Sequence, residues 1–173
     1  MMESSMVSIS ALDLFFLSSL VMAAEENRLS REQILPAISS AFQKQFLDAR
    51  QASCLQEVKD GKTVYEIEFK HNGNTEAAFY TQDGSLLETE KAINTTELPA
   101  LIANSIKRAH PNAVVKQAEV VSSPDGTVRG CEIDATARGK MIGLALDSSG
   151  KILSADSADA YSAPIPLPVE VAT

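Results

Sequence analysis

The chain has 173 residues, 45% of them hydrophobic and 22% charged, with a formal charge of −8 and a pI near 4.8. Those proportions belong to a globular protein and exclude wholesale disorder, and an acidic chain repels a phosphate backbone, which argues against nucleic-acid binding. With no Trp, three Tyr and six Phe, the core has to be mostly aliphatic.

In chain order, the first feature is "LFFLSSLVMAA" from Leu14 to Ala24, an uncharged and mostly apolar run of 11 residues. A membrane span needs roughly 20 such residues, whereas the core of a signal peptide needs about 7–15. Small residues near position 23 and the polar "EENRLSREQ" that follows suit cleavage near Ala23 or Ala24. Residues 1–24 therefore read as a signal peptide and 25–34 as a leader segment. Glu3 and Asp13 have the wrong sign for such a peptide and no Lys or Arg precedes the run, so a buried N-terminal helix is the alternative. No cysteine follows the run to carry a lipid. The expectation is a periplasmic or secreted protein with no stable membrane anchor after cleavage, its charge reduced to −6 by the removal of Glu3 and Asp13.

The rest is dominated by self-similarity. "LPAISSAFQKQFLDA" (Leu35–Ala49) matches "LPALIANSIKRAHPNA" (Leu98–Ala113) with one inserted residue, and "KDG" at 59–61 matches "PDG" at 124–126. "YEIEF" at 65–69 matches "CEIDA" at 131–135, and "DGSLLETE" at 83–90 matches "SGKILSAD" at 149–156. Four blocks in one order indicate a tandem duplication, with copies at 35–91 and 98–157 and a connector at 92–97.

Each copy opens on a helix. Pro36 and Pro99 fit a first helical position, where a missing N–H is harmless. Ile38, Ala41, Phe42 and Phe46 make an apolar stripe in the first, and Leu98, Leu101, Ser105, Ile106 and Ala109 in the second, which His110-Pro111 ends. Four strands follow in each copy. Tyr65, Ile67 and Phe69 alternate with Glu66, Glu68 and Lys70, as Cys131, Ile133 and Ala135 alternate with Glu132 and Asp134. Turns are marked at Asp60-Gly61, Asn72-Gly73, Asp83-Gly84, Asp125-Gly126, Arg138-Gly139 and Ser149-Gly150. The fold class is α+β: a repeated unit of helix plus four-stranded antiparallel meander, forming one curved sheet of about eight strands with both helices on one face. About 60 residues bury only a marginal core, so joining two copies makes a stable whole and leaves a sheet face uncovered. After that, "SAPIPLPVEVAT" marks residues 158–173 as an extended Pro-rich tail.

This order of motifs, from "LPA…F…F.DA" through "YEIEF..NG" and "DG.LLETE" to "LPA…I…HPNA", resembles the bacterial PepSY-like proteins, which share the fold of β-lactamase inhibitory protein. The resemblance spans residues 31–156. It implies an exported, non-enzymatic protein whose sheet face binds another protein, with inhibition as one role. The family's aromatic residue in the first strand of the first copy is absent here, where "QASCLQEV" places Cys54 or Leu55.

No catalytic constellation is evident. His71, before a turn, and His110, at a helix end, read as surface residues without a paired nucleophile, and no nucleophile elbow, phosphate loop, dinucleotide fingerprint or zinc-protease motif occurs. Cys54 and Cys131 match no zinc or redox spacing; they are either one disulfide or two small buried hydrophobes. The loops lack the dense Asp/Asn spacing of a calcium site, and no metal or cofactor is expected. "NTT" at Asn94 matches a glycosylation acceptor. What remains is an acidic row, Glu66, Glu68, Glu132 and Asp134, with Lys70 and Arg129 at its ends. It is either a solvated sheet face or, if the two strands lie near each other, a patch that attracts a basic protein partner. The expected function is a protein-binding module of unknown partner. The alternative is a structural or chaperone-like envelope protein that binds extended peptides.

Overall fold

A computed structural model of the chain describes residues 27–59 and 62–157. The signal peptide, the Asp60-Gly61 turn and the Pro-rich tail expected from the sequence lie outside the described residues. The elements are β1 (Asn27–Arg28), α1 (Pro36–Gln45), β2 (Arg50–Lys59), β3 (Lys62–His71), β4 (Asn74–Tyr80), β5 (Leu86–Ala92), α2 (Ala100–Ala109), β6 (Val114–Ser122), β7 (Val128–Ala137), β8 (Lys140–Asp147) and β9 (Ile152–Ser157). The nine strands among the described residues form one antiparallel sheet in sequence order. The α+β class holds, and each helix precedes four strands.

The sheet has one strand more than the eight expected. Asn27 and Arg28 pair with Gln56 and Leu55, so the leader supplies a short edge strand. Two residues carry no measurable periodicity, which is why the sequence conceals it. The connector also has structure: Thr95–Glu97 is a single 3₁₀ turn in which Asn94 accepts from Thr96 N while Glu97 accepts from Asn94 N. This reciprocal capping satisfies donors that would otherwise be orphaned.

Proline placement fixes one helix start and shifts the other. Pro36 occupies the first turn of α1, whereas Pro99 stays extended as the N-cap of α2, with ψ at 138°, one residue outside the expected start. The buried stripe of α2 also differs from the expected one. Ile102, Ser105 and Ile106 are buried, while Leu101 is 60% exposed and Ala109 is exposed. In α1 the buried pair is Ile38 and Phe42, with Phe46 packed beside them.

Both helices lie on the same side of the sheet. Ile38 and Phe42 pack with Cys54, Ile67, Phe69 and Tyr80, and Ile102 and Ile106 pack with Cys131, Ile133, Leu144 and Leu146. Register links the two clusters: Lys91 pairs with Val120, which pairs with Cys131. Aromatic rings fill the first cluster, Phe69 lying 5.1 Å from Phe42 and 4.5 Å from Phe46. In the second, the fully buried Ala135 stands where the first has Phe69. Cys54 and Cys131 are free and buried, one in each cluster. The halves meet at β5–β6 along only four residue pairs, Thr89 with Ser122 through Ala92 with Glu119.

The β4–β5 and β8–β9 turns bear directly on the helices. Gly84 and Gly150 have φ of +84° and +83°, and a Cβ on them would lie 2.7 Å from Ala37 O and 2.8 Å from Leu101 O. Gly126 shares the conformation, with φ of +83°, but has open space around it. Substituting Ala at Gly126 should therefore cost only the backbone strain, roughly 1 kcal/mol. Gly84→Ala and Gly150→Ala should each cost about 1–3 kcal/mol more, because the helix has to move as well. Urea unfolding of the three variants checks this; equal losses would contradict the contact between turn and helix.

Candidate functional site

Cross-strand partners share a face of the sheet, so rows of side chains can be followed from strand to strand on the side opposite α1 and α2. Leu55, Glu66, Phe79 and Glu88 form one row across β2 to β5. Glu119, Glu132, Ala145 and Ser154 form another across β6 to β9. Glu90, partnered by Ala77 and Val121, stands between them.

The expected site residues do occupy this face, but not as one compact row. Three strands separate β3, with Glu66, Glu68 and Lys70, from β7, with Glu132 and Asp134. At about 4.8 Å per strand, the two groups stand about 19 Å apart. Glu68 accepts a hydrogen bond from Ser53 Oγ, and Lys70 is exposed and donates to Thr75 Oγ1. Arg129 does not mark an end of the row. Its Nη1 lies 3.3 Å from Oε2 of Glu88 on β5, a residue with no exposure at all.

The interval is filled by Glu88, Glu90 and Glu119, which the sequence reading left out. Their signal was present in "LLETEKA" and "KQAEV", where Glu alternates with Thr, Lys, Ala and Val. Nor is the face simply a solvated one. Val64 and Phe79 form a small buried cluster there with Ala77 and Leu87, and Glu57, Glu88, Glu90 and Glu132 are all buried. Register shifts in β2–β3, β4–β5, β6–β7 and β8–β9 mark bulges, which bend and twist strands and let neighbouring side chains cover one another.

Glu90 is the focus of this crowding. It is 5% exposed, and its Oε1 has no hydrogen-bond partner. Burial first, and then the carboxylates of Glu132, Glu119, Glu88 and Glu66, push its pKa well above the ordinary glutamate range. Burial likewise raises Asp134. On the helix side, burial and then the Glu66 carboxylate raise the Cys54 thiol to about 11.

The histidines are half-buried rather than fully at the surface. His71 Nδ1 lies 3.5 Å from Glu76 Oε2, and His110 closes α2 with its N–H donating to Ile106 O. Among the described residues, no group of three or more His, Cys, Asp and Glu side chains is arranged to hold a metal ion, and no helix is long and apolar enough to cross a membrane.

No protein-family model matches the chain, PepSY included, and no curated protein matches it. Solved structures do share the fold. A DUF2874 family protein from Bacteroides uniformis is similar with a TM-score of 0.59 at 14% identity, over 74% of this chain and 91% of that one. A candidate periplasmic protein from Bacteroides eggerthii is similar with a TM-score of 0.58 at 17% identity, over 73% and 91%. A protein from Bacteroides fragilis described as BLIP-like, that is, like β-lactamase inhibitory protein, has a TM-score of 0.52 at 18% identity, over 70% and 84%.

The environment of Glu90 sets a pH dependence of stability. Unfolded, its carboxyl ionises near 4.5; folded, it holds its proton to higher pH. Its contribution to stability is therefore complete below 4.5 and is lost as pH rises through the folded value. Asp83, Asp125 and Asp147, whose pKa values are lowered by hydrogen bonds in turns, act below their ordinary 3.8 and lie outside this window. Glu90→Gln should lessen the fall above 4.5, part of which the raised Asp134 also carries, and stabilise the protein at neutral pH by roughly 1–2 kcal/mol. Chemical denaturation at a series of pH values checks this; parallel curves for the two proteins would contradict it.

Proposed function

We propose that this chain is an exported, non-enzymatic binding module of the PepSY-like kind whose sheet face opposite α1 and α2 takes up a protein with a basic surface. The observation that carries the reading is the placement of Glu66, Glu88, Glu90, Glu119 and Glu132 on the face that no helix covers among the described residues. Such a concentration of like charge opposes folding and attracts positive charge. Complementary charge raises association rates and rejects partners of the wrong sign.

Supporting observations bear on the rest of the reading. Likeness in fold to the BLIP-like and candidate periplasmic proteins fits a periplasmic or secreted binding protein, as does the apolar run at 14–24. Inhibition of a secreted or envelope enzyme is the specific form suggested by the BLIP-like neighbour. An origin by tandem duplication is supported by the equal helix-plus-four-strand order and by Gly84 and Gly150 at matching places beneath α1 and α2. The non-enzymatic reading rests on the lack of a nucleophile motif in the sequence. A structural or peptide-binding role is the second reading, favoured by β9, which ends the sheet order and pairs only with β8 among the described strands.

The test compares the exported chain with a variant carrying Glu66→Lys, Glu68→Lys and Asp134→Lys, all at half-buried positions where lysine can reach water. Crosslinking capture from envelope extract should recover a protein with the wild type that the variant loses while keeping its circular dichroism and thermal midpoint. Association with that protein should slow roughly tenfold or more between low salt and about 0.5 M. Equal recovery by both proteins, or a rate indifferent to salt, would contradict the face as the binding site.

A further inference from the structure

We infer that Asn72, at the tip of the β3–β4 hairpin, is a self-modification site. His71 and the N–H of Gly73 convert its side-chain amide into aspartate and isoaspartate, with water as co-reactant and ammonia as product. Asn72-Gly73 is the chain's one Asn-Gly pair. Turn preference explains why these two residues stand here, since both central residues of such a hairpin take positive φ, 50° and 81° in this case. The turn does not demand an amide, however. Arg138-Gly139 takes the same conformation in the β7–β8 hairpin, with φ of 53° and 78°.

Three features around the amide point to reaction. The first is a ring nitrogen beside the leaving group: Asn72 Nδ2 lies 3.2 Å from His71 Nε2, and Nδ1 of the same ring lies 3.5 Å from Glu76 Oε2. With its Nδ1 proton directed at that carboxylate, the neutral ring leaves Nε2 facing the amide. The second is an available nucleophile. Gly84, Gly126 and Gly150 donate their N–H groups to Thr81 O, Ser123 O and Asp147 O at 3.0, 2.8 and 2.9 Å, whereas the Gly73 N–H has no such partner among the described residues. Third, Asn74 Nδ2 donates to Asn72 O at 3.4 Å, which favours the negative charge that reaches this oxygen when Gly73 N loses its proton. Asn72 and Gly73 are exposed, and nothing lies within 4 Å of where a Cβ on Gly73 would sit. The turn therefore has room to rotate, and water can enter.

In the reaction, Gly73 N gives its proton to a solvent base and attacks Asn72 Cγ, forming an N–C bond and a five-membered succinimide. The Cγ–Nδ2 bond breaks as the His71 imidazolium, charged by a proton from water, passes that proton to Nδ2, and ammonia departs. Water then opens the ring at either carbonyl, giving aspartate or isoaspartate; no oxidant or reductant is needed. Each chain reacts once, so there is no turnover. The product places a new carboxylate at the end of β3, the strand that carries Glu66 and Glu68. In its isoaspartate form it also lengthens the main chain inside a turn across which His71 and Asn74 pair.

The experiment incubates the full exported chain at neutral pH and physiological temperature and follows residues 71–76 by peptide mass spectrometry, with fragmentation that distinguishes isoaspartate. Asn72 should be converted, with isoaspartate among the products, while Asn27, Asn94, Asn104 and Asn112 remain amides over the same period. His71→Gln keeps a polar side chain but cannot deliver a proton, and should slow conversion roughly tenfold or more. Conversion in the folded wild type should also be at least threefold faster than in concentrated urea, where ring and amide lose contact. If His71→Gln does not fold, the comparison with urea decides. An Asn72 that stays an amide as long as the other asparagines, products without isoaspartate, faster conversion in urea, or an unchanged rate in folded His71→Gln would each overturn the inference.

Discussion

A single sheet has two faces, and among the described residues helices pack on only one of them. Both helices take the side bearing Ile67, Phe69, Ile133 and Leu144, so hydrophobic burial, the main source of stability in a domain of this size, is concentrated there. The opposite face has to be tolerated rather than packed by helices. What it carries is a small apolar cluster around Val64 and Phe79 and a set of glutamates, several of them buried. The two helical cores are separate, and the strands between them meet along four residue pairs. Backbone hydrogen bonding across β5 and β6, more than side-chain packing, therefore makes the two halves one sheet.

That division explains why electrostatics and stability pull in opposite directions. Carboxylates packed beside one another raise each other's proton affinity and strain the folded state at neutral pH. The protein offsets part of this internally, with Arg129 held against Glu88 and Ser53 donating to Glu68. Glu90 receives no such relief at Oε1. Departures from local consistency of this kind concentrate at functional or strained sites.

Much of the architecture was legible in the sequence because its signals are local. Asn72-Gly73 and Arg138-Gly139 adopt the paired positive φ values of tight hairpins, and alternation in "YEIEF" and "CEIDA" assigns side chains to faces correctly. What escaped was set by other means. β1 is too short to show a period. Pro99 can cap a helix or start one, and the face of α2 turned to the sheet carries Ile102 rather than Leu101. The site was half legible. Alternation placed Glu66, Glu68, Glu132 and Asp134 on one side, but which strands lie between them depends on strand order. Once the chain is a meander, the third and seventh strands cannot be neighbours, and Glu88, Glu90 and Glu119 must occupy the interval. The burial of those glutamates depends on bulges and neighbour packing, which no short-range pattern encodes.

The central claim is that Glu90 sits buried among like charges on the face opposite α1 and α2. Direct titration of its side-chain carboxyl carbon by NMR tests this most closely. The account predicts a midpoint well above the ordinary glutamate value, falling when Glu132 is replaced by Gln. An ordinary midpoint, unmoved by that replacement, would contradict it.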